Sequence, residues 1–204
     1  MAQTKKKKKF FDVDMPIIGR QTQLFAYEIS ELNNKFINYD LTRTLRGKSI
    51  LMQLKIKIED DKAKATPTQI ILMPYFIRRM IRKGTDYVED SFSVNCKDAQ
   101  LRIKPFLITR RKVSREIKKA LREKAKEEII KEIKDKSSEK IFESILKNKF
   151  QKDLSLVLKK IYPLSLCEIR MLKIEKNIEI KEKPKKEIVE EKTKEDDSKE
   201  IKKE

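Results

Sequence analysis

ILMQLKIKIE, residues 50–59, is apolar at Ile50, Met52, Leu54, Ile56 and Ile58 and polar at Gln53, Lys55, Lys57 and Glu59. A period of two predicts a β-strand with one face in a core and the other in water. Upstream, Phe25, Tyr27 and Ile29 alternate with polar or small residues in the same way, and Asn33–Asn34 is a turn signal. Residues 39–49 are polar, with Gly47 as the turn residue. Downstream, Asp60–Lys64 reads as a loop and Thr68–Leu72 as a short strand. Pro74 opens a helix, PYFIRRMIRKG, with Phe76, Ile77, Met80 and Ile81 on one side and Gly84 as its C′ residue. Arg82 and Lys83 then fall in its last turn, where cations suit the helix dipole.

Val88, Phe92, Val94 and Cys96 recur at even spacing, and Lys97–Gln100 marks a hairpin turn without the usual glycine. Leu101, Ile103 and Leu107 continue the returning strand, which Pro105 assigns to an edge or a bulge. The stretch from Thr109 is helical. At 100° per residue Arg115, Lys118, Lys119, Arg122 and Lys126 share one arc, opposite Val113, Ile117, Ala120 and Leu121. Ile129, Ile130 and Ile133 rotate toward the basic side, so the helix bends after Lys126 or its packing partner changes. Ser137–Ser138 can cap a further helix with a stripe of Ile141, Phe142, Ile145, Leu146 and Phe150. Asn148 is a break, and a second short helix holds Leu154, Val157, Leu158 and Ile161 and ends at Tyr162–Pro163. A last strand covers roughly residues 164–174. Strands, helix, strands, helices and strand in that order predict an α+β fold: a mostly antiparallel sheet or partial barrel with flanking helices.

The chain of 204 residues carries 51 Lys and Arg against 33 Asp and Glu, a net +18, and no histidine. A surplus of that size calls for a polyanionic partner. Three segments hold all of it: Lys5, Lys6, Lys7, Lys8 and Lys9; Arg78, Arg79, Arg82 and Lys83; and residues 102–126, with 11 cations including Arg102, Lys104, Arg110, Arg111 and Lys112 against Glu116 and Glu123. Residues 176–204 balance 10 Lys against 8 Glu and 2 Asp, with few apolar residues, and read as a disordered charged tail. The expected organisation is a flexible basic N-terminal arm (1–11), a single α+β RNA-binding domain (12–175) and that C-terminal tail (176–204).

Catalytic chemistry is missing from the pattern. Without histidine no Ser-His or Cys-His pair exists, and three glycines cannot build a phosphate-cradling loop. Asp60–Asp61 reads as a solvated turn. Cys96 and Cys167 lie apart in apolar runs and read as buried free thiols of a reducing cytosol, with no second pair to complete a zinc site. No metal, cofactor or enzymatic role is expected. The basic start has no apolar segment behind it, and the longest apolar run, Ile70–Ile77, is far below a membrane span. The expectation is a cytoplasmic protein with no membrane partner. Structured RNA fits better than DNA, because nothing resembles a helix-turn-helix, zinc finger or zipper.

Four stretches also resemble the archaeal and eukaryotic small-subunit ribosomal protein S-three-A-e family, in the family's order. KKFFDVDMP (8–16) is similar to its basic arm and aromatic pair, with Phe10–Phe11 where Trp-Phe is usual. FIRRMIRKGTDYV (76–88) is similar to its arginine-rich helix and following strand. DSFSVNCKDAQLRIKPFLITRRK (90–112) resembles its hairpin and basic segment, and IYPLSLCEIRMLKI (161–174) its closing strand. Ala99 replaces a usual hairpin glycine, Asn148 stands where a glycine often separates the late helices, and residues 17–49 match poorly. The resemblance implies a structural ribosomal protein on the small-subunit platform. Its partners would be small-subunit rRNA, neighbouring ribosomal proteins and mRNA near the exit region. A free RNA-binding factor or chaperone and a protein–protein scaffold are the alternatives.

Overall fold

Residues 50–72 form the hairpin on which the rest of the sheet is laid. The structure is a computed structural model that describes residues 7–45, 47–59 and 62–177. Strand β4 (Ile50–Glu59) buries Ile50, Met52, Leu54 and Ile56, as its alternation predicts. Strand β5 (Lys62–Leu72) pairs with it along its whole length. The sequence pattern predicts a loop to Lys64 and a strand only from Thr68. The alanines and threonines of AKATPT carry little hydrophobic signal, yet Ala63 and Ala65 are buried. From there the buried positions switch from odd to even numbers, at Ile70 and Leu72. A β-bulge causes the switch: Gln53 pairs with Gln69 but Leu54 with Pro67, leaving Thr68 extra. Pro67, which has no N–H to donate, is tolerated at that irregularity.

The other edge of β5 is shared. Its start pairs in parallel with β1 (Lys9–Met15), at Val13↔Ala63, and its end pairs antiparallel with β9 (Leu164–Asn177), at Gln69↔Lys173. The sheet therefore forks. One branch is β1 with β2 (Arg20–Ala26). The other is β9 with β8 (Ala99–Thr109), whose outer edge carries β6 (Tyr87–Glu89) and β7 (Phe92–Asn95). Strand β3 (Phe36–Asp40) pairs with β4. The α+β, mostly antiparallel reading holds. One parallel pair makes the sheet mixed, and it is open rather than a partial barrel, because its outer strands do not pair with each other.

Helix α1 (Pro74–Met80) follows β5, and α2 (Arg115–Lys134), α3 (Ser138–Leu146) and α4 (Lys149–Leu158) lie between β8 and β9. Helix α2 packs on β6, β7 and α4, and α4 packs on β9. Three expectations change and one open alternative is decided. Helix α1 stops at Met80 with Ile81 extended, so Arg82 and Lys83 lie beyond it rather than in its last turn, and Gly84 (φ 83°) belongs to a later turn. In β2, Leu24 and Ala26 turn inward while Phe25 points out, the reverse of the expected face. Of the two readings of Pro105 the bulge is the one observed: the register of β8 against β9 shifts between Lys104 and Pro105. Lys9–Phe11 belong to β1 rather than to a free arm. Lys5, Lys6, Asp60, Asp61 and the tail from residue 178 lie outside the described residues.

Two smaller expectations acquire reasons. Asn148 adopts φ 58° between α3 and α4, a conformation Asn tolerates better than most residues. The 96–99 turn works without glycine because Lys97 and Asp98 keep negative φ, and the Cys96 N–H donates to the Ala99 carbonyl at 2.9 Å. Asp98 also accepts from the Ser138 N–H at 3.3 Å, capping α3 from the hairpin. Both cysteines are free and buried. Burial, with the neighbouring charge of Glu168 adding to it, pushes the Cys167 thiol up to about 12.

Candidate nucleic-acid interface

Two of the three basic segments meet at one end of the sheet. Strand β8 ends at Thr109, a fully buried polar residue. Its N–H donates to the Asp86 carbonyl at 2.9 Å, and its hydroxyl accepts from the Asp86 N–H at 3.1 Å. The same hydroxyl donates to the Arg111 carbonyl, 2.7 Å away. The Asp86 carboxylate accepts from the Val113 N–H at 3.0 Å and pairs with Lys118 at 3.0 Å. These two partners, the Val113 N–H first, hold the carboxyl below its usual range. Asp86 and Thr109 therefore clasp the loop after α1 to the loop before α2. Arg82 and Lys83 come beside Arg110, Arg111 and Lys112, next to the first turn of α2, which Ser114 caps by accepting from the Ile117 N–H at 3.4 Å.

Arg82, Lys83, Arg110, Arg111, Lys112, Arg115 and Arg122 are exposed, and among the described residues none has a carboxylate within ion-pair distance. Lys119 reaches Glu123 at 3.9 Å, an exposed pair of little strength. Arg78 and Arg79 are exposed on α1, with Arg79 over the Phe76 ring at 5.3 Å, and Lys126 lies 5.7 Å from the Phe92 ring centroid. Other predicted residues have structural duties. Lys118 is held by Asp86. Arg102 pairs with Glu175 at 2.6 Å, and Glu175 also accepts from the Ser93 hydroxyl at 2.8 Å. Lys104 is half-buried within β8. Lys7–Lys9 are not brought to this cluster. Strands β5 and β8 run in the same direction, both antiparallel to β9; Lys7–Lys9 enter at the end where β5 starts, and Arg110–Lys112 leave where β8 finishes.

The sequence pattern does not single out Asp86 and Thr109. Their signals were faint: one carboxylate in the basic stretch RRMIRKGTDY, and one hydroxyl closing the apolar run PFLIT. Among the described residues there is no group of acidic or thiol side chains that could hold a metal, and no helix long and apolar enough to cross a membrane.

The model of the Ribosomal S3Ae family matches residues 2–178, nearly the whole chain up to the end of β9. The chain belongs to that family. No curated protein sequence matches it. Membership in the S3Ae family makes it a protein of the small ribosomal subunit, a structural and non-enzymatic class whose partners are rRNA and other small-subunit proteins. The family match spans all three basic segments and leaves out nearly all of the charge-balanced tail.

Proposed function

We propose that this S3Ae protein binds small-subunit rRNA by laying the clasped cluster against its phosphates. Arg82, Lys83, Arg110, Arg111, Lys112, Arg115, Lys119 and Arg122 make the contacts, Arg78, Arg79 and Lys126 extend them, and Lys5–Lys9 engage a second rRNA segment at the other end of the sheet. Residues 12–175 are the RNA-binding body in this reading, and residues 176–204 contribute no net attraction. The observation that carries it is the Asp86–Thr109 clasp, which holds two cationic loops side by side and leaves their guanidinium groups without carboxylate partners. Cations so arranged neutralise phosphates and release counterions, and arginine adds bidentate contacts. In this reading the site lies near the mRNA exit region, among ribosomal neighbours, a position that the resemblance to the family's platform proteins supports.

Crosslinking on reconstituted small subunits tests this. Peptides carrying residues 78–83 and 110–122 are expected to dominate the protein–rRNA crosslinks. Reversing Arg110 and Arg111 to Glu is expected to weaken rRNA binding roughly tenfold or more at moderate salt. Crosslinks confined to other faces, with undiminished binding of the reversed variant, would defeat the proposal.

A further inference from the structure

The outward face of the β1–β2 hairpin carries three large rings in water. Phe10 is 69% exposed, Phe25 56% and Tyr27 43%. Phe10 and Phe25 are direct cross-strand partners with ring centroids 4.8 Å apart and planes tilted by 41°. Lys8 places its ammonium 5.7 Å from the Phe25 centroid and 5.2 Å from that of Tyr27. Leu24 and Ala26, the smaller residues of β2, are turned inward instead.

We propose that this face is a stacking platform for unpaired nucleotides of RNA. The inference rests on the rRNA-binding reading and assigns a different kind of contact to a different end of the molecule. Every base has a π-face, so exposed rings interleaved with cations bind single strands, the rings holding bases and the cations the backbone. Besides the rings, the face carries Lys8, Asp12, Asp14, Gln21 and Gln23, and no aliphatic side chain. That composition favours nucleotides over a protein neighbour, whose buried interface core would call for apolar partners and few charges. On the hairpin itself the carboxylates lie toward the turn, away from Lys8. Asp14 is engaged by the Gln21 amide at 2.6 Å, and Asp12 pairs in register with Gln23, toward the hairpin turn. Glu31, beside Tyr27, is engaged by the Tyr27 N–H, from which it accepts at 3.1 Å. Lys7–Lys9 stand beside Phe10, at the end where a strand's phosphates would run.

The test uses the full chain with a labelled oligouridylate of about ten nucleotides and an RNA duplex of similar length, followed by fluorescence anisotropy. Phe25→Leu keeps an apolar neighbour for Phe10 but removes the π-face. It is expected to lose about tenfold in oligouridylate affinity and almost nothing on the duplex. The chain contains no tryptophan, so Phe25→Trp supplies a lone reporter whose emission should be quenched by the single strand and not by the duplex. Unchanged oligouridylate affinity in Phe25→Leu together with an unquenched Phe25→Trp overturns the platform. So does unchanged affinity combined with poor incorporation into subunits, which would mean that the rings cover a protein. Arg110→Glu/Arg111→Glu, run alongside, separates the two readings: its loss of duplex and rRNA binding would persist even if the platform failed.

Discussion

Lys48 shows how much one side chain in a polar loop can hold. Its ammonium lies 2.5 Å from the Glu168 carboxylate on β9 and 2.6 Å from the Asn148 amide oxygen, and the Lys48 and Glu168 side chains are 11% and 13% exposed. Gln151, buried on α4, adds a longer contact from its amide to Glu168 at 3.5 Å and donates to the Ile145 carbonyl at 3.0 Å. One residue before β4 is thereby tied to the α3–α4 junction and to β9. The same contact gives Asn148 a role that a glycine could not fill, because only a side chain accepts from Lys48. Removing one member of a nearly buried ion pair strands the other charge, while replacing both with apolar residues does not. Lys48→Met is therefore expected to cost about 3–5 kcal/mol, and the Lys48→Met/Glu168→Met double variant much less. Urea unfolding of the two single variants and the double variant completes the cycle. Equal and additive losses would mean that the pair is not coupled.

At the level of elements, legibility followed the strength of local alternation. Strand β4 was readable because large aliphatic residues occupy every second position; β5 was half-hidden because alanines fill its inner face and a bulge inverts its phase at Thr68. In β2 the alternation does not reveal which face is buried: Phe25 is exposed, while the packing selects Leu24 and Ala26. Helix α2 is the instructive case. Its basic face was plain, and Ile117 and Leu121 lie on the inner side as expected, but the seam runs on through Ala125, Ile129 and Ile133 and leaves Ala120 exposed. Val113 precedes the Ser114 cap and is not in the helix. Steps of four also drift by about 40° each, so the seam winds around the helix. Along one unbroken helix that seam packs on β6, β7 and α4. Ala120 is exposed and Ala125 is 1% exposed. Ala120→Glu is expected to change stability by less than about 0.5 kcal/mol, whereas Ala125→Glu buries a charge without a partner and should prevent stable folding. Thermal melts followed by circular dichroism would reveal the contrast, and similar melting of both variants would contradict the seam. The basic segments were equally plain in the sequence. Their meeting was not, since it depends on hydrogen bonds between Asp86 and Thr109, which no local pattern encodes.

For the whole molecule, the surplus of +18 has two principal concentrations, the lysine arm and the clasped cluster. A single patch would neutralise one stretch of backbone. In the proposed reading, charge at both places would let the body bridge two rRNA segments, binding at one raising the effective concentration of the other. Salt titration can separate the contributions, because each phosphate contact adds roughly 0.7–0.9 to the slope of log K against log salt. Replacing Lys5–Lys9 with alanine and reversing Arg110, Arg111 and Lys112 should each lower the slope by several units on a fragment that reaches both ends. On a short duplex that spans only one end, only the reversal should matter. Truncation after Asn177 removes a stretch whose charges nearly cancel and should leave the slope unchanged. If truncation lowers the slope as much as loss of the arm, local sign within the tail outweighs its balance, and the division of the surplus into two ends fails. If arm and cluster variants lose slope equally on the short duplex, both ends touch one segment and the bridge is excluded.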